Sequence, residues 1–216
     1  MAQYEFTSHP TAKGQVLLST TFSVNQKEGE NEVSIIQTFE QRNFFNWDIT
    51  LRSGYFIKDN FAVGGFFVFE ENNSELKYTS DNQPVLDESR SINYGIAPFI
   101  RNYLPLGDGR FMLFNETYFE FNYGSSVRQI TTLDDINRVT STSYNFTLGL
   151  QPGIAAFINE KVSVEVGTSL LGLNSSVTQS VTNGDTDNPS RTVSNNVDFK
   201  INLLTLFVGV TFYFPS

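Results

Sequence analysis

The stretch Ile92–Gly124, INYGIAPFIRNYLPLGDGRFMLFNETYFEFNYG, constrains this chain more than any other. It alternates with period two on both sides of Asp108-Gly109, which is the pattern of two strands joined by a tight turn. One face of the first strand carries Ile92, Tyr94, Ile96, Pro98, Ile100 and Leu104; the other carries Asn93, Gly95, Ala97, Phe99, Arg101 and Tyr103. In the second strand Phe111, Leu113, Asn115, Thr117, Phe119, Phe121 and Tyr123 share a face, and Met112, Phe114, Glu116, Tyr118, Glu120 and Asn122 share the opposite one. A two-residue turn at Asp108-Gly109 pairs Gly107 with Arg110. Counting outward from it sets Arg101 opposite Glu116 and Ile100 opposite Thr117. Cross-strand partners share a face, so the apolar faces coincide, and so do the faces of small and charged residues. A broad aromatic face backed by small residues and charges is inverted relative to a soluble sheet. It points to a barrel with lipid outside and polar groups inside.

The rest of the chain repeats the pattern. Expected strands cover about 15–25, 33–56, 61 onward, 144–158, 162 onward and the C-terminal stretch, which with the opening pair makes eight. Short turns are expected at Lys58-Asp59-Asn60, Asp108-Gly109 and Asn159-Glu160-Lys161. Alternating with them is a short polar turn at Lys27–Glu32, then long polar loops over about 72–91, 125–143 and 174–196. Short turns on one rim and longer loops on the other suit a membrane barrel. The second strand outruns the hydrocarbon, so its first part projects beyond the membrane unless a bulge breaks it near Glu40–Asn43, and a bulge is expected at the parity switch Leu203-Leu204. The domain expectation is a short N-terminal segment, 1–12, and a single barrel over 13–214. No apolar segment stands behind Met1, and our expectation is that an export signal has been removed.

Composition excludes several chemistries. There is no cysteine, so neither thiol catalysis nor a disulfide framework is available. A net charge of −9 argues against nucleic acid as a partner. No run approaches the roughly 18 apolar residues of a membrane helix. The one histidine, His9, precedes the first strand, where no rigid shell holds it as a catalytic base. Glu116 and Glu120, four residues apart on a strand, are separated by roughly 13 Å at the backbone, too far for a glycosidase pair. No cofactor is expected. Asp185 and Asp187, with Asn183 and Asn188, carry hard-cation chemistry, set against the plainer reading of an acidic solvated loop.

The candidate functional residues lie on the inward face: Arg52, Arg101, Glu116, Glu120 and Glu165, with Asp48 and Glu70 beside them. They are read as a polar network filling a narrow lumen. Trp47, Tyr55, Tyr94, Tyr123 and Tyr144 face outward and are read as membrane-interface aromatics.

Three motifs resemble the small outer-membrane β-barrel family of Gram-negative bacteria. Gly54-Tyr55-Phe56-Ile57-Lys58-Asp59-Asn60-Phe61-Ala62-Val63-Gly64 looks like its periplasmic hairpin. Pro98-Phe99-Ile100-Arg101-Asn102-Tyr103 resembles its PFxRYY strand, with Asn102 in place of the usual aromatic. The end of the chain, with Gly209, Phe212 and Phe214, is similar to the signal read by the barrel-insertion machinery, although Pro215-Ser216 follows the last aromatic. The resemblance implies an all-β, eight-stranded antiparallel up-and-down transmembrane barrel in the outer membrane, in contact with outer-membrane lipid and lipopolysaccharide. The resemblance is nearly silent on activity, since the family is functionally mixed; with no catalytic constellation in the sequence, the expected role is non-enzymatic: structural, surface-presenting, or accessory to a larger outer-membrane complex. Two rivals stand beside it. One is a small-solute channel or transporter; the other is a soluble lipocalin-like barrel with the apolar face lining a cavity.

Overall fold

The computed structural model describes residues 9–33, 38–80, 83–107, 109–168, 170–199 and 207–215. These form ten strands: β1 (Gln15–Val33), β2 (Thr38–Lys58), β3 (Phe61–Ser80), β4 (Gln83–Leu106), β5 (Phe111–Thr131), β6 (Ile136–Asn159), β7 (Val162–Gly167), β8 (Leu171–Thr182), β9 (Ser190–Phe199) and β10 (Phe207–Pro215). Strands β1 to β7 pair antiparallel in sequence, β7 pairs with β10, and β10 pairs back onto β1. The result is a closed ring of eight strands. Strands β8 and β9 continue the sheet above that ring on the upper half of β6.

Closure is what hydrocarbon demands. A backbone N–H or C=O left unpaired in lipid costs several kcal/mol, and only a sheet without edges pairs them all. The outer face matches that solvent. Phe22, Ile96, Leu104, Phe119, Ile154 and Val208 are each about half or more exposed. Along β4 from Tyr94 to Leu104 exposure alternates strictly, with Ala97, Phe99, Arg101 and Tyr103 buried between exposed neighbours. Apolar side chains outside and ion pairs inside do not suit a soluble barrel with an apolar cavity.

The expected register holds: Arg101 pairs with Glu116 and Ile100 with Thr117. The turn differs from the expected one. Leu106 and Phe111 are the last ladder pair, and Gly107 and Gly109 both adopt positive φ, so Gly107 and Arg110 belong to the turn. Asp108 lies outside the described residues. At Lys58–Asn60 the expectation is met: Asn60 sits at φ 63°, the left-handed conformation asparagine tolerates.

The long polar loops are absent. Residues 72–80 and 83–91 are paired strand, and so are 125–131 with 136–143, and 174–182 with 190–196. The Lys27–Glu32 stretch likewise runs within β1 against β2. A strand that has left the membrane is wet on both faces, so its sequence loses the apolar alternation while its backbone ladder continues. A bulge does occur between Phe39 and Gln41. The seventh strand breaks after Gly167, and Leu170 sits in the break. The β6 partners shift by one residue there, from Gly153↔Gly167 to Leu150↔Leu171. Thr168 and Leu170 still donate to the carbonyls of Pro152 and Leu150. The parity switch at Leu203-Leu204 lies outside the described residues.

An eight-stranded lumen is just wide enough to be filled by side chains. Large inward groups therefore lie over glycines on neighbouring strands. A side chain at Gly153 meets the Phe114 ring, one at Gly149 meets Tyr118, and one at Gly64 meets Phe99 and the backbone of β2. At the short-turn end the cluster Leu17, Phe56, Met112, Phe157 and Tyr213 closes the bore. Residues 9–14 cap it. Thr11 is fully buried, donates from Oγ1 to Asn60 Oδ1 at 2.6 Å, and accepts the Asn60 N–H at 2.8 Å through its carbonyl.

This packing makes a prediction with an internal control. Gly153→Val forces the Phe114 ring aside, and overpacking of this kind costs about 1–3 kcal/mol. Gly172→Val meets nothing within 4 Å. Refolded in detergent, the first variant unfolds at a lower denaturant midpoint than the parent and the second at the parent's. Equal midpoints for both would disprove the berth.

Candidate functional site

Above the aromatic floor, four strands send charges to one point. Arg101 comes from β4 and Glu116 from its β5 partner position. Glu165 comes from β7 on the far wall, and Arg52 from β2. The inward parity of each strand brings them there. Arg101 Nε donates to Glu116 Oε2 at 2.7 Å, and its Nη1 donates to Glu165 Oε2 at 2.8 Å. Arg52 Nη2 lies 3.2 Å from Glu116 Oε1. Arg101, Glu116 and Glu165 have no solvent exposure, and Arg52 has 5%. Two cations face two anions, so the cluster is neutral as a unit.

Aromatics complete it. Arg101 Nη1 also donates to the Tyr103 hydroxyl at 3.0 Å, and the Tyr213 hydroxyl donates to Glu165 Oε1 at 3.3 Å. The Arg101 guanidinium lies over the Phe114 ring at 4.5 Å and Arg52 over Phe66 at 5.1 Å, contacts that favour a poorly hydrated cation. The cluster spans from β4 to β7 and blocks the bore together with the floor beneath it.

Of the five lumen residues read from the sequence, Arg52, Arg101, Glu116 and Glu165 meet. Glu120 does not. It lies higher, where its Oε1 accepts from Asn122 Nδ2 at 3.3 Å, and Asp48 and Glu70 face each other across β2 and β3 at that level. Tyr103 and Tyr213 were missed as partners. Both stand inside recognisable motifs, and their inward parity is the signal that finds them. Asp87–Arg128 was missed as well, because both residues fall in stretches read as loops. Arg128 grips Asp87 through Nε at 2.9 Å and Nη2 at 2.6 Å, and this hydrogen bonding raises the Arg128 pKa above its ordinary value.

The expected interface aromatics form a belt on the outer wall. Tyr94, Tyr123 and Tyr144 are successive cross-strand partners, and Trp47 packs on Phe69, which packs on Tyr94. Tyr55 stands at the opposite rim. From Tyr94 down β4 to Leu104 is roughly 33 Å along the strand, or about 25 Å along the normal at the usual barrel tilt. That is the height of a bilayer-facing apolar band. Gly209, Phe212 and Phe214 of the C-terminal motif lie in β10; Phe212 and Phe214 face outward, and Gly209 pairs with Thr21.

In the 183–188 turn, Asp185 accepts from the Asp187 N–H and from Asn188 Nδ2, closing the turn on itself. Among the described residues no group of three or more His, Cys, Asp or Glu side chains is placed to hold a metal ion.

No family model matches the chain, and no curated protein does. Among solved structures it is similar to the outer membrane protein OprG from Pseudomonas aeruginosa, at 13% identity over 97% of this chain and 100% of that one, with a TM-score of 0.46. It is also similar to Ail, the attachment invasion locus protein of Yersinia pestis, at 10% identity over 94% of this chain and 99% of that one, with a TM-score of 0.37. Against the ferric yersiniabactin uptake receptor FyuA from Yersinia pestis it shows 11% identity and a TM-score of 0.39, and it spans 32% of that longer chain.

The lumen ion cluster and the Asp87–Arg128 pair predict unequal mutational costs. Glu116→Gln leaves Arg52 and part of Arg101 without a counter-charge in a dry site, and breaking such a pair costs about 3–5 kcal/mol. The Arg128 side chain is 55% exposed, so in Asp87→Asn the cation left behind is solvated, and the loss is about 1 kcal/mol or less. Urea unfolding of the refolded barrel measures both. A smaller loss for Glu116→Gln than for Asp87→Asn would refute the assignment.

Proposed function

We propose that this chain is an integral barrel of the bacterial outer membrane whose lumen is closed, and that it acts without catalysis. It presents its tall strand tops at the cell surface or docks through them on a larger outer-membrane assembly. The Arg101 cluster supports this most directly: it ties opposite walls of the barrel together, with Arg101, Glu116 and Glu165 wholly buried, and the aromatic floor lies below it. A solute path needs both layers to part. The apolar outer band and the aromatic belt support the membrane setting, and lipopolysaccharide and lipid are the surfaces such a band meets. The barrel-insertion machinery is the expected reader of Gly209, Phe212 and Phe214.

The proposal has two tests. In planar bilayers the refolded protein gives no sustained ion steps at neutral pH; stable unitary conductance would overturn the closed lumen in favour of a channel. In intact cells, added protease cuts within the exposed 183–189 turn at the tip of β8 and β9. Cutting there only after the outer membrane is breached would reverse the orientation.

A further inference from the structure

Just above the ion cluster the bore widens into a chamber of about 170 Å³. Arg52 lies at its base, Thr50, Tyr118 and Gln151 line its wall, and Asp48 and Glu120 supply carboxylates. The charge of Arg52 is matched by Glu116 beneath it, but the polar groups that line the chamber are incompletely partnered. Arg52 spends Nη2 on Glu116, while its buried Nε and Nη1 find no protein acceptor. Leaving such donors unmet costs about 1–3 kcal/mol, more when the group is charged. Asp48 and Glu120 have the opposite need. Among the described residues neither is ion-paired, and Arg52 is within ion-pair distance of neither. The chamber has a cation with free donors at one end and carboxylates without a counter-charge beyond it.

We infer that the chamber binds a compact zwitterion carrying a carboxylate and an ammonium group at opposite ends, with the carboxylate on Arg52 and the ammonium between Asp48 and Glu120. A bare metal ion does not answer this arrangement, since the acids are not gathered tightly enough to coordinate one. A plain anion satisfies Arg52 but faces the carboxylates, and a plain amine leaves Arg52 unmet. The separation favours an ω-amino acid over an α-amino acid. Asp48 stands four residues above Arg52 on the same strand, roughly 13 Å at the backbone. Reaching side chains shorten that span, but two groups on one carbon do not bridge it. At ~30 Å³ per water in the liquid, the chamber holds about five or six waters, the room needed for a short methylene spacer with its end groups.

The inference rests on the closed-lumen reading, since the chamber is then a dead end that retains its occupant. Calorimetry on the full barrel in detergent tests it apart from conductance. The probes are 5-aminopentanoate, pentanoate and pentylammonium. The expected result is binding of 5-aminopentanoate at least tenfold tighter than either single-charge analogue. Glu120→Gln, which leaves the ion cluster intact, weakens it several-fold, and Arg52→Lys weakens it further. Equal binding of pentylammonium and the zwitterion, unchanged by Arg52→Lys, would make this a simple cation site and overturn the inference. Binding of none of the three to a barrel with parental unfolding behaviour would mean a solvated chamber, and would overturn it too.

Discussion

Seven residue pairs between the first strand and the last make this molecule what it is. From Gln15↔Pro215 to Thr21↔Gly209, β10 returns to β1 and removes the edges that a sheet presents to lipid. Once the ring is fixed at eight strands, the lumen has a set width, and its contents follow. Every large inward side chain must find a small neighbour, which is why glycines stand beneath Phe99, Phe114 and Tyr118. A charge held in the middle of the bore, far from bulk water, needs a counter-charge. Arg101 finds one on two walls at once, through Glu116 beside it and Glu165 across the bore.

The ion cluster is not the source of the barrel's stability. Burying four charges incurs desolvation that their attraction only partly offsets, and a well-packed apolar plug of the same volume would serve as well or better. The cluster instead links strands distant around the ring and fills the bore with groups that reject wrong partners. An apolar plug would offer no such selectivity of register.

Inside the membrane the sequence is legible because each strand must satisfy two solvents. Lipid selects Tyr94, Ile96 and Ile100, and the lumen selects Ala97, Phe99 and Arg101, so period two survives on every strand. From that alternation and one Asp-Gly step the Arg101–Glu116 register followed, even though the turn itself was drawn differently. Above the belt the two faces see the same water. Serine, threonine and asparagine occupy both, and 174–182 or 136–143 read as loops while their backbones stay fully paired. Asp87 and Arg128 were lost with that misreading. Glu120 was assigned the right face but the wrong neighbours, because parity gives a side and not a height. The one-residue shift past Pro152 was hidden for a related reason: neither Thr168 nor Leu170 carries a turn signal.

The paired strand tops have a consequence for any partner that meets the long-strand rim. From Tyr94 up to Gln83, β4 continues for roughly 36 Å of ladder beyond the belt. Long exposed loops must be frozen before they hold a partner, and each ordered residue costs about 1–2 kcal/mol. A paired rampart has already lost that freedom during folding. Contacts made on it are preorganised, so even a small patch on its flank holds a partner with little entropic loss. The turns at the tips, by contrast, are free to vary in sequence without disturbing the wall beneath them.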